Sequence, residues 1–532
     1  MSATQSALRD LLLSKEAQSQ QSAAALPDPS FAFYKARNFM PVWSGGAEQE
    51  DASAKVHAIL GRAHEQGLRD EDYNMSQDES RRTSGAEAAA YDLALTRTVL
   101  AYSRDVRTGH VWPGDIYDDV ILPVPGFNAA TDLTKALADH AIAKYLADLS
   151  PPHREYGLLA VALAHYRAIA GQGGWPSLPG QTEIKLDGKD PRASLLAARL
   201  AFEDPALAAT PDPSAGELRE AVKRFQTRNG LAGDGRVGGE TLTSLNIPAS
   251  YRAAQIAANM ERWRWLPRFE DRYIAVNVPD QSLEFVRDGI PTLSSRVIVG
   301  QKTSPTPITR TEIVAVVANP PWNIPGDIAA RDLLPHLVKS ANYLASKHMV
   351  VTNGPPGDPY GRTIKWASVV PAEFPYAIRQ LPGPATALGA VMLDSPNDFD
   401  VYLHDTPNKK RFESNEREIS NGCVRVQQIL SLASLALTGD PAKGMDRLNR
   451  VIKTHETQRL TLDHSLPVYF LYWTAIPAAD GSVGFRPDRY GRDARLIAAL
   501  TKNDRSIPAI EIPMNASGDM EQNAPDADDP SP

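Results

Sequence analysis

The chain has 532 residues, a formal net charge of −8, and a composition that is 42% hydrophobic and 23% charged, as in ordinary folded globular proteins. At this length we expect about three to five structural units, each with its own hydrophobic core. The acidic balance argues against nucleic acid as the main partner, because phosphate binding needs a basic face. No apolar run approaches the roughly 18 residues that span a bilayer, so we expect no transmembrane segment.

The N-terminal part of the chain predicts a flexible lead followed by a helical domain. Residues 1–28 carry one apolar cluster, Leu11 to Leu13, which is too short for the hydrophobic region of a secretory signal peptide. A chain without a signal peptide would be expected in the cytoplasm. Residues 29–202 are expected to form a helical domain, because apolar residues recur there at helical spacing. The predicted helices are Ala52–Gly67, Tyr91–Val106, Gly157–Ile169 and Leu195–Phe202.

The next unit, residues 203–249, reads as a linker followed by a small helical module. Residues 203–213 are rich in proline and alanine, and Ser214 and Glu217 have the spacing of a capping box at a helix start. The series continues with Leu-x-x-Ala-Val-x-x-Phe-Gln, Gly-Leu, Asp-Gly and Thr-x-x-x-Leu. This series resembles the small peptidoglycan-binding module, in which glycines form turns around a miniature apolar core.

Residues 250–505 predict a third unit that is mostly β. A helix over Tyr251–Trp265 precedes apolar residues that alternate from Ile274 to Val278, and a hairpin turn follows at Asp288-Gly289. Short strands at this spacing predict a mostly antiparallel sheet or barrel-like sandwich. The alternation lapses over residues 319–388, which carry one helix-like piece and a loop rich in glycine and proline. Long excursions of this kind are typical of lids or disordered insertions.

The candidate chemistry lies between residues 404 and 426. Cys423 is the only cysteine, so it makes no internal disulfide, and it precedes a predicted helix over Gln427–Thr438 whose positive end would lower the pKa of the thiol. His404 is the nearest candidate base, and the amides of Gly422 and Cys423 could hold an oxyanion. The alternative is a buried structural cysteine beside an ordinary histidine.

A resemblance to a known family bears on that choice. His-Asp-Thr-Pro at 404–407, followed by Ser-Asn-Gly-Cys-Val-Arg at 420–425, resembles the active-site signature of L,D-transpeptidases with a YkuD-type catalytic domain. The family commonly has glycine where this chain has Asp405, and histidine where it has Asn421. The resemblance implies that Cys423 is the nucleophile and His404 the base, in a β-sandwich domain.

The aromatic pattern of residues 29–202 resembles the scaffold domain of the longer, YcbB-like L,D-transpeptidases. The chain is thus expected to be a multidomain α+β protein with a helical scaffold domain, a peptidoglycan-binding module, and a mostly-β catalytic domain with a capping insertion at about 319–388. Trp322 and Tyr360 are candidate walls of a substrate site under that cap. Asn421 and Arg425 are further candidates for substrate binding, and a structural ion pair is the alternative for Arg425.

The resemblance implies an enzyme that joins peptidoglycan stem tetrapeptides, as donor and acceptor, through their third residues with release of the terminal D-alanine. It also implies reactivity toward carbapenems and a place in the periplasm, so we expect a mature sequence whose signal peptide has been replaced by a start methionine. A hydrolase acting on the same stems and a catalytically silent wall-binding protein remain alternatives. The partner that orients His404 is either a backbone carbonyl or Asp405.

No metal or nucleotide cofactor is expected from the motifs. Thr454-His455-Glu456 begins like a zinc-protease helix, but Arg459 stands where the second histidine ligand would be. The other histidines lack metal-ligand spacing, and no phosphate-binding glycine loop follows a strand. Residues 506–532 have little to bury and are expected to be a disordered tail.

Overall fold

The structure is a computed structural model that describes residues 2–19, 29–75, 84–124, 126–187 and 189–502. The helices are α1 (Ala3–Ser19), α2 (Pro29–Ala36), α3 (Ala47–Leu60), α4 (Gly85–Thr108), α5 (Ala129–Ala138), α6 (Ile142–Ala147), α7 (Arg154–Gly171), α8 (Ala193–Ala201), α9 (Pro205–Ala208), α10 (Ala215–Arg228), α11 (Gly239–Leu245), α12 (Ala249–Arg264), α13 (Gly326–Ile328), α14 (Leu334–Lys339), α15 (Tyr343–Ser346), α16 (Ile429–Thr438), α17 (Pro441–Ile452) and α18 (Arg492–Leu500).

The strands are β1 (Val120–Ile121), β2 (Arg272–Asn277), β3 (Ser282–Arg287), β4 (Ile290–Gly300), β5 (Ile308–Ala318), β6 (Trp322–Ile324), β7 (Met349–Val351), β8 (Ile378–Gln380), β9 (Val391–Asp394), β10 (Leu403–His404), β11 (Glu418–Ser420), β12 (Val424–Val426), β13 (Gln458–Leu471), β14 (Ala475–Pro477) and β15 (Val483–Phe485). The prediction of a multidomain α+β protein with a β-rich C-terminal unit is confirmed.

The β-rich unit is a closed ring of strands in the order β5, β13, β2, β3, β4, β12, β10 and β9, because β9 also pairs with β5. Most neighbours are antiparallel, but β13 pairs with β2, and β10 with β12, in parallel. Alternation along the strands directs every second side chain to one interior core. Fully buried members of that core include Val276, Phe285, Val299, Val316 and Val424. Helices α16, α17 and α18 contribute further apolar residues to it.

The first residues of the chain differ from the predicted flexible lead. Ala3–Ser19 form α1, and Leu8 and Leu12 are buried in one apolar cluster with Phe33 and Trp43. Spacing by four residues places both leucines on one face of the helix, which packs against α4. The burial of that face explains why the segment is ordered although it is rich in polar residues. The predicted tail, 506–532, lies outside the described residues.

The small module uses more of the chain than its motif. The predicted capping box is present, since the Ser214 hydroxyl accepts the Glu217 N–H and the Glu217 carboxylate accepts the Ser214 N–H. The preceding 203–213 segment differs from a linker, because it contains α9. One apolar cluster joins Leu178, Ile184, Leu186, Leu196, Leu200, Leu207, Leu218, Val222, Phe225 and Leu245. A unit of under 50 residues buries little core alone, and the upstream residues supply the rest.

Helix α12 connects the helical part of the chain to the barrel. It packs along α7, and nearly all of its side chains are buried. Its Glu261 accepts hydrogen bonds from the Val111 N–H (2.6 Å) and from the Arg264 guanidinium (2.5 Å). In addition, β1 pairs in parallel with the start of β5, so the N-terminal half adds a strand to the barrel sheet. The two halves therefore share both sheet and core.

The 319–388 insertion has a core of its own. Strands β6, β8 and β7 form a three-stranded antiparallel sheet, and α13, a single π-helical turn (Ala329–Leu333) and α14 pack near it. Trp322, Leu333 and Trp366 are buried in this apolar cluster, against which Met392 of β9 also packs. The insertion is thus an ordered subdomain that packs on the barrel next to β10.

Within the part of the chain that the structure describes, no helix combines the length and the apolar character needed to cross a membrane.

Candidate active site

The parallel pairing of β10 with β12 brings the two halves of the motif together. Leu403 pairs with Val424 and His404 with Arg425, and the Val424 N–H donates to the Tyr402 carbonyl. Side chains alternate along a strand, so Leu403 and Val424 share the core face while His404 and Arg425 share the opposite one. Cys423 precedes Val424 by one residue and has the same parity as Arg425. The thiol, the imidazole and the guanidinium are therefore expected on one face of this pair of strands.

The orientation of His404 is set by a backbone carbonyl. Its Nδ1 lies 2.5 Å from the Asp405 carbonyl oxygen. A carbonyl only accepts hydrogen bonds, so Nδ1 carries the proton and Nε2 is left with a lone pair. Of the two orienting partners considered from sequence, the backbone carbonyl is the one in contact. Nε2 is buried and has no hydrogen-bond partner among the described residues.

The environment of His404 keeps the imidazole neutral. The side chain is fully buried, and burial, together with the nearby positive charge of Arg425, lowers the pKa of His404 to about 3. The Asp405 carbonyl opposes this shift, and Lys409 adds to it. At neutral pH the imidazole is therefore a base with an available lone pair.

The Cys423 thiol is held at the surface end of the same face. Although the residue is only half-buried, its sulfur is packed closely enough that burial raises the pKa of the Cys423 thiol. The Tyr402 N–H and the Arg425 charge oppose that rise without cancelling it. In this arrangement the thiol donates a long hydrogen bond, 3.6 Å, to the Asp400 carbonyl oxygen.

The prediction that a helix start lowers the thiol pKa is wrong. Helix α16 begins at Ile429, and strand β12 separates it from Cys423. The field of a helix terminus fades within about one turn, so α16 contributes little at the sulfur. Desolvation dominates instead, and the resting pair is a neutral thiol with a neutral imidazole.

The loop before Cys423 is fixed through its backbone. Gly422 has φ +111°, which favours glycine, whereas an added Cβ would meet only ordinary contacts at 3.7 Å or more. The Ser420 hydroxyl donates to the Cys423 carbonyl (2.6 Å) and accepts the Gly422 N–H at 3.3 Å. The buried Thr306 hydroxyl donates to the Gly422 carbonyl (2.7 Å) and accepts the Gly300 N–H (2.9 Å). Strand β4, through Gly300, thus sets the loop's position.

The four residues predicted to bind substrate do not all lie on the strand face that carries His404 and Cys423. Arg425 is 1% exposed, directly opposite His404. Asn421 lies in the loop, and its side-chain oxygen accepts a hydrogen bond from Arg331 of the insertion at 2.8 Å. Trp322 is packed within the core of the insertion, and Tyr360 is half-buried in a loop of the insertion with the Arg362 guanidinium over its ring. The roles of Trp322 and Tyr360 as walls of a substrate site stay predictions.

Several residues that complete this site carried no recognisable signal in the sequence. The Thr306 hydroxyl binds main-chain atoms of the loop, and Arg331 is 90 residues from its partner Asn421. Asp400 has φ +53° in a turn held by the Asn397 side chain, which aims its carbonyl at the thiol. A Ser-x-x-Cys spacing is the one local cue, since Ser420 reaches the Cys423 carbonyl across it.

The described residues contain no group of three or more histidine, cysteine, aspartate or glutamate side chains that could hold a metal ion.

Comparison with known families places these observations in a class. Residues 271–443 match the family model for the YkuD L,D-transpeptidase catalytic domain. Residues 30–163 match the scaffold domain, and residues 205–245 match a model described as "Putative peptidoglycan binding domain". The chain therefore contains a YkuD-type L,D-transpeptidase catalytic domain together with a scaffold domain and a peptidoglycan-binding domain.

Among curated proteins, the chain is similar to one from Haemophilus influenzae named "Putative L,D-transpeptidase". The two are 34% identical over 271 residues, which is 50% of this chain and 54% of that protein. The chain thus spans about half the length of the curated relative that it matches.

Two solved structures are similar to this chain at lower sequence identity. The Ldtfm–avibactam carbamoyl enzyme is 15% identical with a TM-score of 0.18, covering 39% of this chain and 51% of that one. An L,D-transpeptidase from Stackebrandtia nassauensis is 14% identical with a TM-score of 0.21, covering 56% and 96%. At these scores neither structure contributes to the assignment.

Proposed function

We propose that this chain is a peptidoglycan L,D-transpeptidase that works through a thioester on Cys423. The observation that carries the proposal is the state of His404, whose Nδ1 donates to a backbone carbonyl and whose Nε2 keeps an unshared lone pair on the same strand face as the thiol. A neutral imidazole of this kind can take the proton of a neutral thiol as the thiol attacks a carbonyl.

In the first step the Cys423 sulfur bonds to the carbonyl carbon of the third residue of a donor stem tetrapeptide, and the thiol proton moves to His404 Nε2. This requires the thiol to turn away from the Asp400 carbonyl that now accepts its hydrogen bond. The imidazolium then donates that proton to the leaving nitrogen, the carbon–nitrogen bond breaks, and D-alanine departs. A thioester between Cys423 and the shortened stem remains.

In the second step the side-chain amine of an acceptor stem attacks the thioester carbonyl. His404 takes one amine proton and returns it to the Cys423 sulfur as the carbon–sulfur bond breaks. The product is an amide between the third residues of two stems. Because burial and Arg425 disfavour a charged imidazole, the imidazolium exists only between these transfers.

The negative oxygen formed in each step needs donors, and we assign them to the Gly422 and Cys423 amides. The Gly422 N–H bond to the Ser420 hydroxyl is 3.3 Å, at the long end for such bonds, so an oxyanion can compete for this donor. We assign Asn421, Arg425, Trp322 and Tyr360 to the substrate side of the site. Of these, Arg425 is buried and acts on the substrate through the charge that it adds near the reacting atoms.

The 319–388 insertion is proposed to be a cap over this site, and the peptidoglycan-binding module to hold the polymer nearby. An open cleft of about 400 Å³ on the module, lined by Gln226, Asp234, Arg236 and Thr241 together with Glu183 of the preceding segment, is the proposed place of contact. We propose a helical scaffold domain at 29–202 to whose core α1 adds Leu8 and Leu12, a small module at 203–249 whose core is completed by residues 178–200, and a catalytic domain at 250–505. Peptidoglycan lies in the cell envelope, and the proposed site of action is the periplasm.

The test is product analysis with a disaccharide tetrapeptide, using the wild-type chain and Cys423→Ala. Cross-linked dimers that require Cys423 are expected, together with free D-alanine. Shortened monomers without dimers would instead identify a carboxypeptidase of the same stems. Cys423-dependent acylation by a carbapenem is also expected, because a strained lactam carbonyl can replace the stem carbonyl as the target of the thiol.

A further inference from the structure

The two positions where the motif departs from the family's common pattern, Asp405 and Asn421, both lie where the chain meets the 319–388 insertion. Asn421 contacts Arg331 within the insertion, and Asp405 contacts residues 389 and 390, directly after it. Asp405 is 7% exposed, and its carboxylate accepts the Ala390 N–H at 2.9 Å. Gly389 lies against it with φ +62°, and a Cβ added there would come within 2.5 Å of the Asp405 side chain. Asp405 is thus fitted to the point where the chain returns from the insertion to the barrel.

The outgoing end of the insertion is fixed at the same place. The Asn319 N–H donates to the Ala390 carbonyl at 2.9 Å, which ties the two ends together. The Asn319 side-chain amide donates to the carbonyls of Ile452, the last residue of α17, and of Glu456, and the Thr457 hydroxyl donates to the Asn319 carbonyl. These part-buried contacts hold the stem of the insertion beside Asp405.

Asn421 meets the insertion at a second, more exposed point. Arg331 Nη2 donates to its side-chain oxygen at 2.8 Å, and Gln301 approaches the same oxygen at 3.5 Å. Arg331 lies in the π-helical turn Ala329–Leu333, and such turns change the direction of side chains along a helix and often occur at functional sites. The adjacent Asp332 carboxylate binds the guanidinium at 2.7 and 2.9 Å and fixes its plane.

The two contacts differ in how easily they open. The stem contact at Asp405 is buried, whereas about half of the Arg331 side chain is exposed, and exposed contacts of charged side chains are individually weak. An insertion fixed at its stem and weakly held at a distant point can swing about the stem. The more exposed contact is made to Asn421, whose backbone leads directly into Gly422 and Cys423.

We propose that Arg331 is a positioning residue that acts through Asn421: it latches the 319–388 insertion over the 420–423 loop, with the stem fixed by Asp405. This inference rests on the proposed function. Closure of the latch shields the Cys423 thioester from water and holds the loop amides in place, so that an acceptor amine, bound under the insertion, reacts in preference to water. Opening of the latch admits the donor stem and releases product.

The insertion offers a matched control for the latch. Arg379 on β8 donates to the Asn323 side-chain oxygen at 2.7 Å, so it makes an arginine–asparagine contact of the same kind at an exposed site. That contact lies wholly inside the insertion and does not reach the catalytic loop. Arg331→Met and Arg379→Met each remove an arginine–asparagine hydrogen bond, and Arg331→Met also removes the local ion pair with Asp332. Arg331→Lys retains the charge and a donor for rescue.

The experiment measures three quantities on the full chain: the alkylation rate of Cys423 by iodoacetamide, hydrogen exchange over 319–388 and 418–426, and the ratio of hydrolysed to cross-linked stems. We expect Arg331→Met to raise the alkylation rate and the hydrolysed share about two- to fivefold, the range of a weak exposed contact. Exchange should rise in both segments, Arg331→Lys should restore much of the wild-type behaviour, and Arg379→Met should match wild type.

Equal alkylation and exchange in Arg331→Met and Arg379→Met would overturn the latch, even if wild type makes cross-links. The converse result separates the two proposals: if alkylation and exchange respond to Arg331→Met but wild type yields no cross-link, the latch stands and the proposed function falls. Changed alkylation with an unchanged product ratio would overturn the role of the latch in excluding water.

Discussion

His404 and Arg425 are partners across the parallel strands β10 and β12, so a fully buried imidazole lies beside a buried guanidinium. The positive charge lowers the pKa of both neighbouring ionisable groups, the imidazole and the Cys423 thiol, while burial lowers the first and raises the second. The net outcome is a pair of neutral groups. Many cysteine enzymes instead hold a thiolate–imidazolium ion pair in the resting state. The neutral pair in this site determines how its reactivity should depend on pH.

The alkylation rate of Cys423 is expected to rise with pH through pH 9 without a plateau near neutrality. The thiolate is the reactive form, burial raises the pKa of the thiol, and His404, with a pKa of about 3, carries no charge that would stabilise a thiolate at pH 5 to 8. Iodoacetamide kinetics from pH 5 to 10 measure this. A plateau beginning below pH 7 would mean that an ion pair already exists in the free protein.

Replacement of Arg425 by methionine is expected to raise the pKa of His404 from about 3 and to slow alkylation of Cys423 at pH 8. Both effects follow from the loss of one positive charge that disfavours imidazolium and favours thiolate. Arg425→Lys retains the charge and should lie close to wild type. The imidazole pKa can be followed by NMR, with His404→Gln used to assign the signal; an unchanged His404 pKa in Arg425→Met would contradict the electrostatic account.

Thr306→Val is expected to slow acylation of Cys423 about tenfold and to lower the free energy of unfolding by about 1 to 2 kcal/mol. Valine has the same shape as threonine, but it leaves the Gly300 N–H and the Gly422 carbonyl without the hydroxyl that both bind. Carbapenem acylation followed by mass spectrometry gives the rate, and urea denaturation gives the stability.

Thr311→Val is the matched control for that variant. The Thr311 hydroxyl of β5 donates to the Pro396 carbonyl at 2.9 Å, before the turn that carries Asp400, so it does not bridge Gly300 and Gly422 as Thr306 does. It should cost similar stability and leave the acylation rate unchanged. If the two variants slow acylation equally, the effect of Thr306 is general loosening and not support of the loop.

Stability is expected to fall as the pH drops from about 6.5 toward 4, in part because of His153. Burial lowers the pKa of His153 to about 4, and its ring packs 4.9 Å from both Trp263 and Phe269. Below about pH 6.5 the unfolded chain binds a proton that the folded state does not, so the free energy of unfolding falls as the pH drops. The fall levels off below the folded-state pKa of about 4, where both states are protonated, and the lost stability is not regained. Stability above pH 7 is unaffected by this group.

His153→Phe keeps an aromatic ring and removes the proton site. Its unfolding free energy, measured in urea at pH 7, 6 and 5, should decline less steeply than that of wild type, by up to about 1.4 kcal/mol per pH unit at most. Parallel curves for the two proteins would show that His153 has an ordinary pKa in the folded state.

Local patterns in the sequence predicted the features that depend on a few neighbouring residues. The capping box at Ser214 and Glu217 and the helices α4 and α7 follow from such short-range spacing. The alternation from Ile274 to Val278 likewise indicated a strand, and β2 is there. The family signature indicated Cys423 and His404 as a pair, since it spans both ends of one strand–loop–strand unit.

Features that depend on distant packing could not be predicted in this way. The thiol pKa follows from how tightly the sulfur is buried, and the closure of the barrel follows from β9 meeting β5 about 75 residues away. The order of α1 likewise required knowledge that Leu8 and Leu12 meet Phe33 and Trp43. The sequence could not show that the Asp405 carbonyl and not its carboxylate contacts His404, because the carboxylate is hydrogen-bonded to the Ala390 N–H, 15 residues earlier in the chain.

The most direct test of the central claim is intact-protein mass spectrometry of the chain during reaction with a disaccharide tetrapeptide. The account predicts a transient mass increase equal to the mass of the disaccharide tetrapeptide minus that of D-alanine, located on Cys423 by peptide mapping, absent in Cys423→Ala, and consumed when an acceptor stem is added. His404→Gln should form this adduct far more slowly while remaining folded. Cross-link formation that persists in Cys423→Ala, or an adduct on another residue, would contradict the account.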